Sequence, residues 1–332
     1  MEERKKSHIE LAFESQTPAQ GLDHRFSYEP ALSGHPQEKT DPFIFLGKKF
    51  SVPLWVSSMT GGTSLARTIN TNLAHACREF GFGMGLGSCR ILLEDRSRLP
   101  DFDMRDLIGD DNAFFANLGI AQIEEAVTHN RTEKIHELVK RLRADGLIIH
   151  INPLQEWVQP EGDRLKHPPV ETISKFLEKT SYDVIVKEVG QGMGKESLRA
   201  LLDLPLAAIE FAAFGGTNFT MLELMRREPL EQKTYEPFSH IGVDAVTMVN
   251  YVNEIVGEQG NVKCSQLIIS GGIHSYLDGY YLIGKSKLPA IYGQASAFLR
   301  FARESYDTLH SFIEGQIEGL QMARAYLRIK DQ

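Results

Sequence analysis

Eight short runs rich in apolar and β-branched residues recur along this chain, and most are followed by a stretch with the apolar spacing of an amphipathic helix. They are "VPLWVSS" from Val52, "GFGMGLG" from Gly81, "AFFANLG" from Ala113, "GLIIHIN" from Gly146, "DVIVKEVG" from Asp183, "LAAIEFAAFGG" from Leu206, "SQLIISGG" from Ser265 and "LPAIYGQA" from Leu288. Strands separated by helices must run parallel, because a parallel pair needs a long crossover. Eight such units in roughly 250 residues match a (β/α)8 barrel. A doubly wound sheet is the alternative, ranked lower because no GxGxxG opens the first crossover. The expected layout is one domain over 1–332: an N-terminal arm over 1–50, the barrel over 51–300, and within 301–332 a helix running from about Glu304 to Ile329. A charged stretch, "TMLELMRREPLEQKTYEPFSHI" (Thr220–Ile241), enlarges the segment after the sixth strand, at the end of the barrel where active sites lie.

With 42% hydrophobic and 24% charged residues, a chain of 332 has ample material for such a core. No window approaches a membrane span, and the opening "MEERKKSHIE" is charged where a secretory signal would be apolar, so a cytoplasmic protein is expected. Three cysteines, Cys77, Cys89 and Cys264, lack metal-ligand spacing and suit a reducing compartment. A net charge of −8 argues against nucleic acid as a partner. No internal repeat is present.

Function in a barrel is written in the residues that follow each strand. "SSMTGG" (Ser57–Gly62) offers paired glycines that let backbone approach a flat ligand, although a plain tight turn reads the same way. Ser88 and Arg90 in "GSCR" provide a hydroxyl and a guanidinium fork suited to an oxyanion. Asn117 carries an amide able to pair with a ring bearing both donors and acceptors. In "DVIVKEVG" the two-residue period puts Lys187 on the face with Ile185, pointing into the mouth, where an ammonium is costly unless it meets an anion. One such anion is the N1 side of a reduced flavin. "SGGI" (Ser270–Ile273) and "GQA" (Gly293–Ala295) fall where barrels commonly hold phosphate on backbone amides, and Thr217 in "GGTNF" can add its hydroxyl.

Taken in order, these segments resemble the type 2 isopentenyl-diphosphate isomerases, FMN- and Mg2+-dependent (β/α)8 enzymes. The likeness runs nearly end to end through "RKKSHI" (Arg4–Ile9), "SSMTGG", "GMGLGSCR", "FANLG", "HINPLQEWVQPEGDR" (His150–Arg164), "VKEVGQGM", "GGTNF", "SGGI" and "YGQASAFL". The "HxNxxQE" block followed by "QPEGDR" is its most specific part. The resemblance implies interconversion of isopentenyl and dimethylallyl diphosphate with reduced FMN as an acid-base catalyst and no net redox change, NADPH as reductant, and a homo-oligomer, a tetramer or an octamer. It implies Glu156 as the Mg2+ ligand, since Mg2+ keeps several waters and takes one or two carboxylates beside substrate phosphate oxygens. Gln155 and His150 become the catalytic pair, with Gln155 managing the proton opposite the flavin through water, because an amide is itself a poor acid or base. Arg4, Lys5, His8, Ser88, Cys89, Arg90, His150, Asn152 and Gln155 become substrate contacts, the arm closing over the diphosphate. FMN is implied at Ser58, Met59, Thr60, Ser88, Asn117, Lys187, Thr217, Gly271, Gly272, Ile273, Gly293 and Gln294.

The chain departs from the family pattern in places. Cys89 stands where glutamine is common, "EFAAFGGT" from Glu210 replaces a more glycine-rich run, His274 replaces arginine, and "DRLKH" lacks an aromatic after the "DR". The departures after strands two and six flank the implied flavin pocket. Two rival classes stay open: an FMN-dependent 2-hydroxyacid oxidase or dehydrogenase on the same barrel, and a flavin- or isoprenoid-binding protein without catalysis.

Overall fold

A computed structural model describes residues 2–36, 41–58 and 62–330. Its centre is a closed barrel of eight parallel strands: β1 (Leu54–Val56), β2 (Gly83–Gly85), β3 (Phe114–Gly119), β4 (Gly146–His150), β5 (Asp183–Lys187), β6 (Ala208–Glu210), β7 (Leu267–Ser270) and β8 (Ala290–Gln294). Each coincides with one of the eight apolar runs. Closure is made by β8 on β1, with Gly293 opposite Trp55 and Gln294 opposite Val56. The strands are buried on both faces, inside by the barrel filling and outside by helices, so they read as continuous apolar runs. Trp55, Phe114, Phe115 and Tyr292 are among the largest fully buried side chains. The helices start and stop on local signals. Ser64–Phe80 begins where the Thr63 hydroxyl accepts the Ala66 N–H at 3.1 Å and ends at left-handed Gly81; Ala245–Gln259 begins where Asp244 accepts the Thr247 N–H.

The first fifty residues are only partly an arm. Helix Glu2–Leu11 buries none of its residues. Phe26–Tyr28, however, pairs antiparallel with Leu327–Ile329, and the hairpin Phe43–Phe45/Lys48–Phe50 buries Phe45 and Phe50 in the core. The terminal helix accordingly stops at Tyr326, and the last residues assigned to it from spacing form a strand instead. A strand partner so far away in sequence leaves no local trace.

Candidate active site

The polar groups that follow the strands converge on one end of the barrel. Parallel pairing sets Gly119 beside His150, His150 beside Lys187, and Lys187 beside Glu210. Register neighbours on parallel strands share a face and lie about 4.8 Å apart, so the imidazole, ammonium and carboxyl form one row. Lys187 is 5% exposed and donates to the Glu188 carbonyl at 2.7 Å. It therefore occupies the interior position that the alternation of β5 predicts.

His150 is held in one tautomer. Asn117 donates its amide N–H to the Leu86 carbonyl at 3.0 Å, which turns its oxygen toward His150 Nδ1 at 2.8 Å. Burial, and then the Lys187 charge, push the imidazole down to about 3. The ring is thus neutral at physiological pH, with the proton on Nδ1 and a lone pair on Nε2. That lone pair suits a water or a donor better than the diphosphate oxygen expected from the resemblance. The fold favours neutral His150, so its contribution to stability is complete above the ordinary histidine pKa of about 6.5 and is lost as pH falls toward about 3. Histidine NMR should show the Nδ1–H neutral form from about pH 8 to about pH 5, and a titration near pH 6.5 would reject this assignment.

The block after β4 folds into the short helix Pro153–Val158, with proline at its first position. Asn152 donates to Gln155 Oε1 at 3.1 Å and to Glu156 Oε1 at 3.0 Å, and the Asp163 N–H donates to Glu156 Oε2 at 2.7 Å. Asp163 in turn accepts from Arg90 at 3.0 Å and from Gln122 at 3.2 Å. The segments after β2, β3 and β4 are so tied together around one buried carboxylate, Glu156. Gln155 also points its amide at Glu223 Oε1, 3.4 Å away in helix Phe219–Leu224. Glu223, Asp163 and Gln122 were not singled out in the sequence; only the charged insertion containing Glu223 signalled that this segment belongs to the site.

Beside this block lies a cavity of about 320 Å3, at the lower end of the range for small-molecule sites. Ser58, Lys187, Thr217, Gly271, Gly272, Ile273, Gly293 and Gln294 all line it, as do Ser57, Glu210 and His274. Gly271 has φ +86°, and a Cβ there would sit 2.1 Å from the Ala213 carbonyl. Gly190 has φ +123°, and a Cβ would meet the Thr217 carbonyl at 2.0 Å. Glycine at these two positions lets the loops after β5, β6 and β7 close around the cavity.

Other expected site residues lie elsewhere. Asn117 is behind His150, Ser88 and Arg90 are exposed on the rim, and the Cys89 thiol is buried against the Gly87 carbonyl, where burial raises it to about 12. That thiol faces the core. Arg4, Lys5 and His8 sit on the exposed helix Glu2–Leu11 and do not line the cavity. Met59 and Thr60 fall outside the described residues.

Two fit tests bear on bound groups. Among the described residues, Ser57 Oγ, Ser58 Oγ, Glu210 Oε2 and Gln294 Oε1 are buried in the cavity lining without a hydrogen-bond partner. Buried polar atoms left so are costly, and a ligand with hydroxyls, ring N–H and carbonyl groups would satisfy them. FMN fits that description. Next to the Glu156 carboxylate, Asn152 Oδ1 is likewise buried and unpartnered. Among the described residues no cluster of three or more His, Cys, Asp or Glu is placed to hold a metal, so a cation here would need ligands from water or substrate.

No family model matches the chain. It is 33% identical over 325 residues to an isopentenyl-diphosphate delta-isomerase of Rickettsia felis, covering 96% of this chain and 91% of that protein. The chain belongs to the isopentenyl-diphosphate delta-isomerase family of enzymes. A second member, from Synechococcus, is 34% identical over 328 residues and is covered to 91% of its length. Solved barrels share the fold alone: flavocytochrome b2 with pyruvate bound has a TM-score of 0.64 at 12% identity, covering 91% of this chain and 72% of that one. A mandelate oxidase carrying an FMN adduct has a TM-score of 0.55 at 14% identity, covering 92% and 88%. This chain thus carries its polar block on the same type of barrel.

Proposed function

We propose that the chain interconverts isopentenyl and dimethylallyl diphosphate, with FMN in the cavity and Mg2+ at Glu156. The observation that carries this reading is the presence of unmet polar atoms in two neighbouring places: the cavity lining at Ser57, Ser58 and Gln294, and Asn152 Oδ1 beside Glu156 in the segment after β4, whose His150 pairs with the cavity residue Lys187 of β5. Reduced FMN would supply an acid-base group on one side of the substrate alkene, and Mg2+ would neutralise diphosphate charge. Serine hydroxyls and the glycine loops after β6, β7 and β8 would hold the cofactor phosphate and polyol, with Lys187 against its anionic edge. On the substrate side Gln155 would orient the transferred proton through water, with Glu223 behind its amide. Neutral His150 would orient that water through Nε2.

The same reading takes NADPH as reductant and a cytoplasmic homo-oligomer as the working form. Among the described residues no helix is long and apolar enough to cross a membrane, and Ile9, Leu11 and Phe13 leave apolar surface near the N-terminus for a neighbouring subunit to cover. The direct test is anaerobic incubation with FMN, dithionite, Mg2+ and isopentenyl diphosphate, with the two isomers resolved; no dimethylallyl diphosphate means the reading is wrong. Lys187→Met should lower the potential of bound FMN by about 30 mV or more, which is tenfold in the reduced-over-oxidised binding ratio. An unshifted potential would return Lys187 to a structural role.

A further inference from the structure

Glu210 is fully buried, at 0% exposure, in the wall of the cavity. Burying a carboxyl is costly unless its oxygens are engaged. One of them is: the Ser270 hydroxyl donates to Oε1 at 3.1 Å. Ser270 Oγ also accepts the Ala212 N–H at 3.0 Å, which anchors the hydroxyl while its hydrogen goes to Glu210. Ala212 holds a left-handed φ of 43°, a conformation that places its N–H and carbonyl between β7 and the Gly192 N–H. The carboxyl group is therefore clamped through one oxygen, and the other, Oε2, has no partner among the described residues.

Lys187 is the register neighbour of Glu210 on β5 and lines the same cavity. Its ammonium donates to a backbone carbonyl and makes no ion pair with any described carboxylate. Two buried groups of opposite charge type thus stand side by side without an ion pair between them, Lys187 lining the cavity and the Glu210 carboxyl sealed in its wall. A salt bridge would close the two off. Their separation leaves both to act on whatever the cavity holds.

We propose that Glu210 is a tuning residue for the cofactor: it offsets Lys187 at the flavin and sets the potential of bound FMN below the value Lys187 alone would give. This rests on the flavin reading above. The electrostatic reason is that a positive charge favours anionic reduced flavin, whereas a carboxylate in the same poorly solvated wall disfavours it.

The test is the midpoint potential of bound FMN, read by equilibration with redox dyes, in the wild type and in Glu210→Gln, Glu210→Met and Glu210→Asp. Gln keeps the shape and the bond from Ser270; Met removes the polar end altogether and serves as an independent charge-free variant. Both should raise the reduced-over-oxidised FMN binding ratio about tenfold, which is about +30 mV for a two-electron couple. Asp, which keeps the charge, should stay near wild type. A purely structural role would alter FMN affinity without this sign pattern. An unshifted or lowered potential in Gln and Met overturns the proposal. A wild-type chain that retains no FMN would instead sink the flavin reading beneath it.

Discussion

Glu156→Gln is expected to reduce Mg2+-dependent turnover by about a hundredfold or more while leaving FMN affinity close to wild type. A metal that neutralises a diphosphate contributes several kcal/mol, and each 1.36 kcal/mol is about a decade in rate. The fold should survive the change. Glu156 Oε2 accepts the Asp163 N–H, a bond the Gln oxygen can keep, and the new amide then faces Asn152. Asn152 can answer by turning its amide, because its oxygen has no partner in the wild type. What is lost is the negative charge that would hold the cation. Titration of activity with Mg2+ checks this, with FMN binding followed by fluorescence. Full activity at saturating Mg2+ would show that Glu156 is not the metal ligand.

The second large effect is in isotope and reductant stoichiometry. An isomerase adds one proton at the terminal alkene carbon and removes another from the allylic carbon on the other side of the double bond, so the electrons of the substrate are conserved. In D2O the dimethylallyl product should therefore carry solvent deuterium, and many turnovers should follow one equivalent of NADPH or dithionite. Gln155→Asn should slow exchange by pulling the amide back from both Glu223 and the substrate space. A 2-hydroxyacid oxidase on the same barrel would need one redox equivalent per product. One-for-one consumption of reductant, or product without deuterium, would replace the isomerase reading with the oxidoreductase one. A protein that only binds flavin would form no product in either solvent.

Much of this protein was legible in its sequence, for a physical reason. The alternation of buried strand and amphipathic helix is a local pattern, so all eight barrel strands and the interior direction of Lys187 follow from spacing alone. The "HINPLQE" block, the glycine pair after β7 and Gly293 at the end of β8 mark the mouth for the same reason: each sits at the end of its own strand. What tertiary structure decided is whatever depends on residues far apart in the chain. Phe26–Tyr28 becomes a strand only because Leu327–Ile329 lies beside it, and Cys89 turns inward because the core offers its thiol a buried place. The tautomer of His150 depends on Asn117 from the neighbouring strand, and the reach of Gln155 to Glu223 depends on a helix sixty-eight positions downstream. Glu210 shows the division most clearly. In sequence it is one departure from a family pattern, while register places it beside Lys187 and the Ser270 hydroxyl engages only one of its oxygens. Periodicity determines which face a side chain takes; only closure of the barrel determines which other side chains it meets there.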